Sequence, residues 1–227
     1  MYLGVEFKIK GRDFLEEQFR RMLSKADKYM YAILNTSKDS QDQSLVARSL
    51  WEYVALPAVM YGVEACVLTT RMLNELELRQ KRIAAFVTGL PIDGGNSALW
   101  LESGLMPMGA RYHIMSHRYF NRLMSLDSGL LTKALLEHQG GVWSSSYKGL
   151  IQNIVKSYEL HYLTSKSSLA KISELTWESL LEDKYRMKSL RYLSLRAEKW
   201  ELPGHIKDSK ESKTLTKFRV AKPWPWG

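Results

Sequence analysis

The side chains best suited to bind a partner lie between residues 184 and 200, where cations and aromatic rings alternate. This segment holds six Lys or Arg residues and a single acid. Three of the cations share one face of a predicted helix: Lys184, Lys188 and Arg191. Cations on one face can neutralise successive phosphates, and exposed rings can stack on unpaired bases. The segment therefore predicts contact with nucleic acid. The alternative is an amphipathic helix whose rings pack into the core.

Histidine and cysteine supply the residues that could hold a metal ion. His113 and His117 are four residues apart, so both side chains can face one ligand on a helix. Neither has further donors nearby in the sequence, and Cys66 is the only cysteine. Because a metal site needs several protein donors, we expect no metal site. We interpret the two histidines as ordinary surface or half-buried residues and Cys66 as a packed thiol.

The acidic residues do not form a set that is typical of catalysis. Glu16-Glu17 and Glu182-Asp183 are adjacent pairs, and adjacent helix residues point about 100° apart. Neither pair can therefore form a shared carboxylate site, and the sequence offers no nucleophile beside a general base. We expect no catalytic residue, no cofactor and no enzymatic activity.

Composition and charge indicate a globular protein with a polyanionic partner. The chain has 227 residues, of which 45% are hydrophobic, so it can bury a sizeable core. Its net charge is +9, and residues 114–227 carry +8 of this total. The asymmetry favours the backbone of RNA or DNA over a membrane, and no apolar run reaches about 18 residues. A single cysteine favours a reducing compartment, cytoplasmic or nuclear.

The hydrophobic pattern predicts a mainly α fold, a multi-helix bundle with at most one short N-terminal strand or hairpin. Residues 2–9 alternate apolar and polar side chains, which is typical of a strand. Helical spacing dominates elsewhere. A first helix should follow Asp13 and end near Asn35, and a second should span residues 44–61 with a kink at Pro57. The second helix should turn its apolar residues inward: Leu45, Val46, Leu50, Tyr53 and Val54.

Glycines mark the expected breaks between elements. Gly62, Gly89 and Gly104 each follow a predicted helix and should end it, and Gly140-Gly141 interrupt the pattern. Later helices are predicted over 146–163 and 175–200, and from Pro203 onward the hydrophobic period is lost. We expect three regions: a helical domain over 1–139, a basic helical region over 140–202 and a flexible basic tail over 203–227.

Four short motifs add a family resemblance. They are Tyr2-Leu3-Gly4-Val5, then Pro57 with Tyr61-Gly62-Val63-Glu64, then Leu76-Glu77-Leu78-Arg79-Gln80-Lys81-Arg82-Ile83 with Gly89, and finally Leu101-Glu102-Ser103-Gly104 with Pro107. In this order and spacing they resemble the reverse transcriptases of non-LTR (LINE-type) retrotransposons. The first motif resembles the strand that follows the catalytic palm, and the others resemble the helical thumb. The resemblance covers about residues 2–125 and implies a thumb-like domain followed by a connector region.

The departures from the family pattern concern catalysis. The resemblance implies that the palm, with its metal-binding carboxylates, would precede Tyr2. The sequence holds no Asp-Asp pair and no cysteine–histidine knuckle. Because phosphoryl transfer in the family needs two metals held by such acids, we expect a thumb and connector fragment without polymerase activity.

The resemblance also implies where nucleic acid would bind. The thumb of the family grips a primer–template duplex mainly through backbone phosphates. The candidate contacts in the thumb-like part are Arg79, Lys81 and Arg82, and those in the basic region are Lys184, Lys188 and Arg191. The leading hypothesis is therefore residual, sequence-nonspecific nucleic-acid binding. A helical adaptor that binds another protein through exposed apolar faces and an element relic without function are the alternatives.

Overall fold

A computed structural model describes residues 14–92, 96–127, 147–160 and 165–182 of the chain. Of the residues it describes, 82% are helical and none lies in a strand, which confirms the predicted mainly α, multi-helix fold. The strand predicted over residues 2–9, the glycine break at 140–141 and the basic tail over 203–227 lie outside the described residues.

The helices follow one another through short connections. Their bounds are α1 Phe14–Lys38, α2 Gln43–Leu50, α3 Leu56–Val59, α4 Thr70–Thr88, α5 Asn96–Ser103, α6 Met108–Met124, α7 Tyr147–Ser157 and α8 Ser165–Glu182. A π-helical turn over Trp51–Ala55 joins α2 to α3, and a 3₁₀ turn over Val63–Ala65 precedes α4. Within this arrangement α1, α2 and α4 pack against one another, and α4 also packs on α5 and α6.

The first helix buries the stripe that its spacing predicts. Its inward residues are Phe19, Met22, Ala26, Met30 and Ile33. The predicted end near Asn35 is wrong, because α1 continues to Lys38. Ser37 lies four residues after Ile33 on the same stripe and is fully buried, so the last turn packs like the preceding ones although its residues are polar.

The second helix turns a different face inward from the one predicted. Of the five residues predicted to face inward, Leu45, Tyr53 and Val54 are exposed, which contradicts the prediction, whereas Val46 and Leu50 are half-buried and Leu50 packs against the core. The buried residues instead form this stripe: Ser44, Ala47, Arg48, Trp51 and Ala55. Small and polar residues therefore face the core of the bundle here.

Hydrogen bonds to distant segments explain this orientation. The Ser44 hydroxyl donates to the Val87 carbonyl at 2.7 Å, and the Arg48 guanidinium donates to the Ser103 and Gly104 carbonyls at 3.1 and 3.3 Å. These carbonyls end α4 and α5, where the helix itself leaves acceptors unpaired. Burying the two polar side chains thus satisfies both partners.

The predicted kink at Pro57 takes the form of the π turn that precedes it. The Leu56 N–H reaches back to the Trp51 carbonyl, one residue further than in an α helix. Proline lacks an N–H, and its ring clashes with the carbonyl four residues earlier in a regular helix. The wider turn relieves this clash and lets the chain continue into α3.

A buried polar contact joins the second helix to α4 at the centre of the bundle. Trp51 Nε1 donates to Gln80 Oε1 at 3.2 Å, and Gln80 Nε2 donates to the Met106 carbonyl at 2.8 Å. Both side chains are almost completely buried. Gln80 therefore connects the π turn after α2, α4 and the segment before α6, and an apolar residue at position 80 would leave the indole N–H without its acceptor.

Glycines end three elements where the sequence predicts. Gly62, Gly89 and Gly104 have φ values of 79°, 73° and 66°, the left-handed region that favours residues without a Cβ. Thr69 begins α4, because its hydroxyl accepts the Met72 N–H at 3.3 Å.

The later helices pack against the earlier ones. Ile151 and Ile154 of α7 form a second apolar cluster with residues of α6, whereas Trp177 of α8 is buried in the main cluster. Helix α8 begins at Ser165, well before the predicted start at residue 175, and residues 183–200 lie outside the described part. The described helices of the 140–202 region therefore share a core with the 1–139 region.

Candidate nucleic-acid interface

Arg79, the first cation proposed for the thumb-like part, is held inside the bundle. Its Nε and Nη2 atoms reach Asp27 Oδ1 and Oδ2 at 3.1 and 3.2 Å, and Nη1 donates to the Glu75 carbonyl at 3.0 Å. The Arg79 side chain is 18% exposed. Its charge thus ties α4 to α1, and three of its hydrogen-bond donors are already used.

Lys81 and Arg82 do not extend Arg79 into one cationic surface. Residues two apart on a helix point about 160° away from each other, so Lys81 and Arg79 lie on opposite sides of α4. Arg82 lies nearer to Arg79 in angle, and both Lys81 and Arg82 are half-buried. Arg79 and Arg82 therefore lie about 60° apart on one side of α4, whereas Lys81 lies on the other side, so the three residues do not share one face.

Lys81 is instead close to a carboxylate that caps α6. Glu77 Oε2 accepts the N–H of Met108, the first residue of α6, at 2.7 Å. Burial raises the pKa of Glu77 to about 7, although the Met108 N–H and the Lys81 ammonium act in the opposite direction. Glu77, on this side of α4, thus links α4 to the first residue of α6.

The cations of the basic segment, Lys184, Lys188 and Arg191, lie outside the described residues. Helix α8 ends at Glu182, immediately before them. Their role as phosphate contacts remains a prediction from the sequence.

A basic groove that sequence analysis did not single out runs along α1. It has a volume of about 290 Å³. Its lining residues are Gln18, Arg21, Met22, Ser24, Lys25, Lys28, Val59 and Tyr61. We call this feature the α1 groove. It combines three cations from one helix with an aromatic ring from the turn after α3, and none of its lining residues is acidic.

The cations of the α1 groove differ in how far they are already paired. Lys25 and Lys28 are exposed, and neither forms an ion pair with a residue that the structure describes. Arg21 pairs with Glu17 of the same helix at 3.1 Å, and both side chains are more than a third exposed. Such a surface pair contributes little and exchanges readily. Lys25 and Lys28 are therefore the groove's freest positive charges.

The spacing of these three cations can be read from the sequence, but the sequence does not show that they line one groove. Residues 21, 25 and 28 fall within about 60° of one another around a helix. Asp27 lies between two of them in sequence and lowers the apparent charge of the segment. The fold turns Asp27 towards Arg79 on α4, so the acid is neutralised away from the groove.

A second groove lies on α6 and has a mixed charge. Its volume is about 580 Å³, and it is lined by Glu64, Met115, Arg118, Tyr119, Asn121, Arg122 and Ser125. The Arg122 guanidinium lies 5.2 Å from the centre of the Tyr119 ring, which also makes an edge-to-face contact with the Tyr147 ring. Because Glu64 opposes the two arginines, this groove suits a polyanion less well than the α1 groove.

The two histidines of α6 have separate partners. His113 Nδ1 lies 3.1 Å from the Tyr158 hydroxyl, and His117 Nδ1 lies 3.3 Å from Asn121 Nδ2. Burial lowers the pKa of both imidazoles. Within the described residues no group of three or more His, Cys, Asp or Glu side chains could hold a metal ion.

Cys66 is half-buried and unbridged. Its thiol donates to the Gly62 carbonyl at 3.6 Å, and burial, with a smaller effect from Glu64, raises its pKa. A raised pKa favours the protonated thiol, the less reactive form. The contact agrees with the interpretation of Cys66 as a packed side chain.

None of the helices that the structure describes is both long and apolar enough to cross a bilayer. Comparison of the chain with protein-family models, with curated proteins and with solved structures gives no match.

Proposed function

We propose that this chain is a non-catalytic thumb and connector derived from a LINE-type reverse transcriptase, and that it binds nucleic-acid backbones in the cytoplasm or nucleus without preference for base sequence. The four ordered motifs support the derivation, and the lack of an Asp-Asp pair supports the absence of polymerase chemistry. The observation that carries the binding proposal is the α1 groove, where Lys25 and Lys28 are exposed and none of the described lining residues is acidic.

The length of the groove suits a nucleic-acid backbone. Arg21 and Lys28 are seven residues apart on α1, which corresponds to a rise of about 10 Å. Phosphates of one strand follow one another every 3.4 Å or so along a duplex axis, so the three cations span about three phosphates. Such contacts position a backbone but carry no information about bases.

The proposal is tested by the salt dependence of binding. Fluorescence anisotropy with a labelled duplex and a labelled single strand gives the dissociation constant at several salt concentrations. Changing Lys25 and Lys28 together to alanine should weaken binding and reduce the slope of log K against log salt by about 1.8 for the duplex, because each lost phosphate contact removes about 0.9. The effect should be the same for unrelated base sequences.

The matched control changes Lys148 and Lys156 to alanine. Both lysines are exposed on α7, so the total charge changes equally while the α1 groove stays intact. This pair should leave the salt slope near that of the parent. Equal effects of the two pairs would show that only total charge matters and would remove the support that the groove gives.

An adaptor that binds another protein is the second candidate function. The observation that favours it is the exposure of Tyr53 and Val54, at 72% and 50%, on the π turn between α2 and α3. Exposed apolar side chains that lie next to each other are typical of surfaces that bind another protein. If the parent chain fails to bind either nucleic-acid probe at low salt, the adaptor takes the place of the binding proposal.

A further inference from the structure

Tyr61 gives the α1 groove a chemistry that backbone contacts alone do not need. The side chain lines the groove beside the three cations of α1, and it is 50% exposed. Gly62 directly follows it in the left-handed conformation, and the Val63 N–H donates to the Met60 carbonyl at 3.1 Å. This tight turn fixes the position of Tyr61 at the end of α3.

The ring of Tyr61 is available to stack on a ligand. None of the ring contacts in the described part of the chain involves it. Tyr119 of the α6 groove differs, because Arg122 lies over its face and Tyr147 contacts it. Of the two grooves, the α1 groove thus places Lys25 and Lys28 beside an aromatic ring that makes no ring contact with a described residue.

We propose that the α1 groove binds single-stranded nucleic acid, with Lys25 and Lys28 on the phosphates and an unpaired base stacked on Tyr61. This inference rests on the proposed function and names its substrate class. In a duplex, neighbouring base pairs cover both faces of each base, so a duplex can use the lysines but leaves Tyr61 without a partner. An unpaired base offers a free face, and stacking of this kind tolerates any base.

The test compares three labelled probes of equal length on the full chain: oligothymidylate, the same strand with every base removed, and a duplex. Fluorescence anisotropy at fixed salt gives each dissociation constant. The parent should bind oligothymidylate more tightly than the abasic strand, although both carry the same phosphates. Changing Tyr61 to leucine should weaken binding of oligothymidylate about tenfold and leave the abasic strand unaffected, since the variant loses the stacking of one base on the ring.

Two further variants separate stacking from other effects. Changing Tyr61 to phenylalanine keeps the ring and should retain the affinity of the parent. Changing Tyr53, which is exposed but does not line the groove, to leucine should leave binding of all three probes unchanged. Thermal melting of each variant shows that a loss of affinity comes from a folded protein.

The outcomes distinguish this inference from the proposed function. If all three probes bind equally and Tyr61→Leu has no effect, single-strand binding at the α1 groove is wrong while backbone binding stands. If a polyglutamate chain displaces oligothymidylate and Tyr61→Leu has no effect, the groove is an acidic-peptide site. If the folded parent binds none of the probes, both proposals fail together.

Discussion

Helices α1 and α4 carry similar numbers of cations and use them in opposite ways. On α4, Arg79 turns towards α1 and pairs with Asp27, and Lys81 lies beside the capping carboxylate Glu77. On α1, Lys25 and Lys28 are exposed at a groove whose described lining residues include no acid. One helix uses its charges to hold the bundle together, and the other presents them at the surface.

This difference shows that a cation's availability depends on where the nearest acid lies in three dimensions. The sequence pattern indicated Arg79 as a candidate phosphate contact and did not single out Lys25. The ion pair with Asp27 reverses this order, because it engages Arg79 and simultaneously removes the acid closest in sequence to Lys25 and Lys28. Changing the two kinds of charge should therefore have different effects on the free energy of unfolding.

The largest effect concerns Glu77 and pH. Burial raises the pKa of Glu77 from 4.5 to about 7, so the folded protein holds this proton more tightly than the unfolded chain does. The contribution of Glu77 to the free energy of unfolding should therefore fall as the pH rises from about 4.5 to about 7, by at most about 3 kcal/mol. Changing Glu77 to glutamine should abolish this slope, and at pH 8 the variant should melt no lower than the parent.

Comparison with the parent is needed because His113 and His117 act in the opposite direction. Burial lowers the pKa of each below 6.5, so their contribution to stability rises as the pH climbs towards 6.5 and is complete above it. Urea denaturation across this range should show a difference between parent and Glu77→Gln that changes with pH. Glu75→Gln on the same helix is the control and should follow the parent. A pH-independent difference for Glu77→Gln would show that its carboxyl is ionised throughout.

The second effect concerns the ion pair between α4 and α1. Changing Arg79 to alanine leaves Asp27 half-buried without its two charged hydrogen bonds, so the free energy of unfolding should fall by about 1 to 2 kcal/mol. Changing Arg71 to alanine should lower the free energy of unfolding by less than about 0.5 kcal/mol, because the Arg71 side chain is 73% exposed. Chemical denaturation measures both changes.

Binding by the Arg79→Ala variant sharpens the comparison. If α4 uses this charge internally, the folded variant should bind oligonucleotides with the salt slope of the parent. A variant that is as stable as the parent but has a lower slope would restore Arg79 to the phosphate-binding role that the sequence predicted.

The sequence was a good guide where a local signal determines structure. Glycine is favoured in the left-handed conformation whatever surrounds it, so the ends of elements at Gly62, Gly89 and Gly104 could be predicted. The stripe of α1 could also be predicted, since all its inward residues but Ser37 are apolar. The mainly α class follows from this periodicity.

The sequence was a poor guide where partners far away in the chain determine which side chain is buried. Ser44 and Arg48 face inward because the ends of α4 and α5, more than forty residues away, supply carbonyl acceptors. An apolar pattern assigns these two positions to the surface and Tyr53 to the core, and both assignments are wrong. The α1 groove was missed for a similar reason, because Tyr61 reaches it only through the packing of α3 on α1.

The smallest effect on stability is expected from the basic segment after α8. Exposed helix cations contribute only a few tenths of a kcal/mol each, so changing Lys184, Lys188 and Arg191 together to alanine should leave the melting temperature almost unchanged. If these residues contact phosphates as proposed for α1, the same change should weaken nucleic-acid binding and lower the slope of log K against log salt by about 0.9 for each of up to three lost contacts.

This triple variant also tests whether the segment belongs with α1 or with α4. Combined with Lys25→Ala and Lys28→Ala, it should lower the salt slope further, since independent phosphate contacts add. Suppose instead that the triple variant binds like the parent and melts much lower. The aliphatic parts of these Lys and Arg side chains would then pack against the core. The segment, like Arg79, would use its cationic side chains to stabilise the fold. The adaptor or the relic would in that case be the better explanation of the basic region, and nucleic-acid binding would depend on the α1 groove alone.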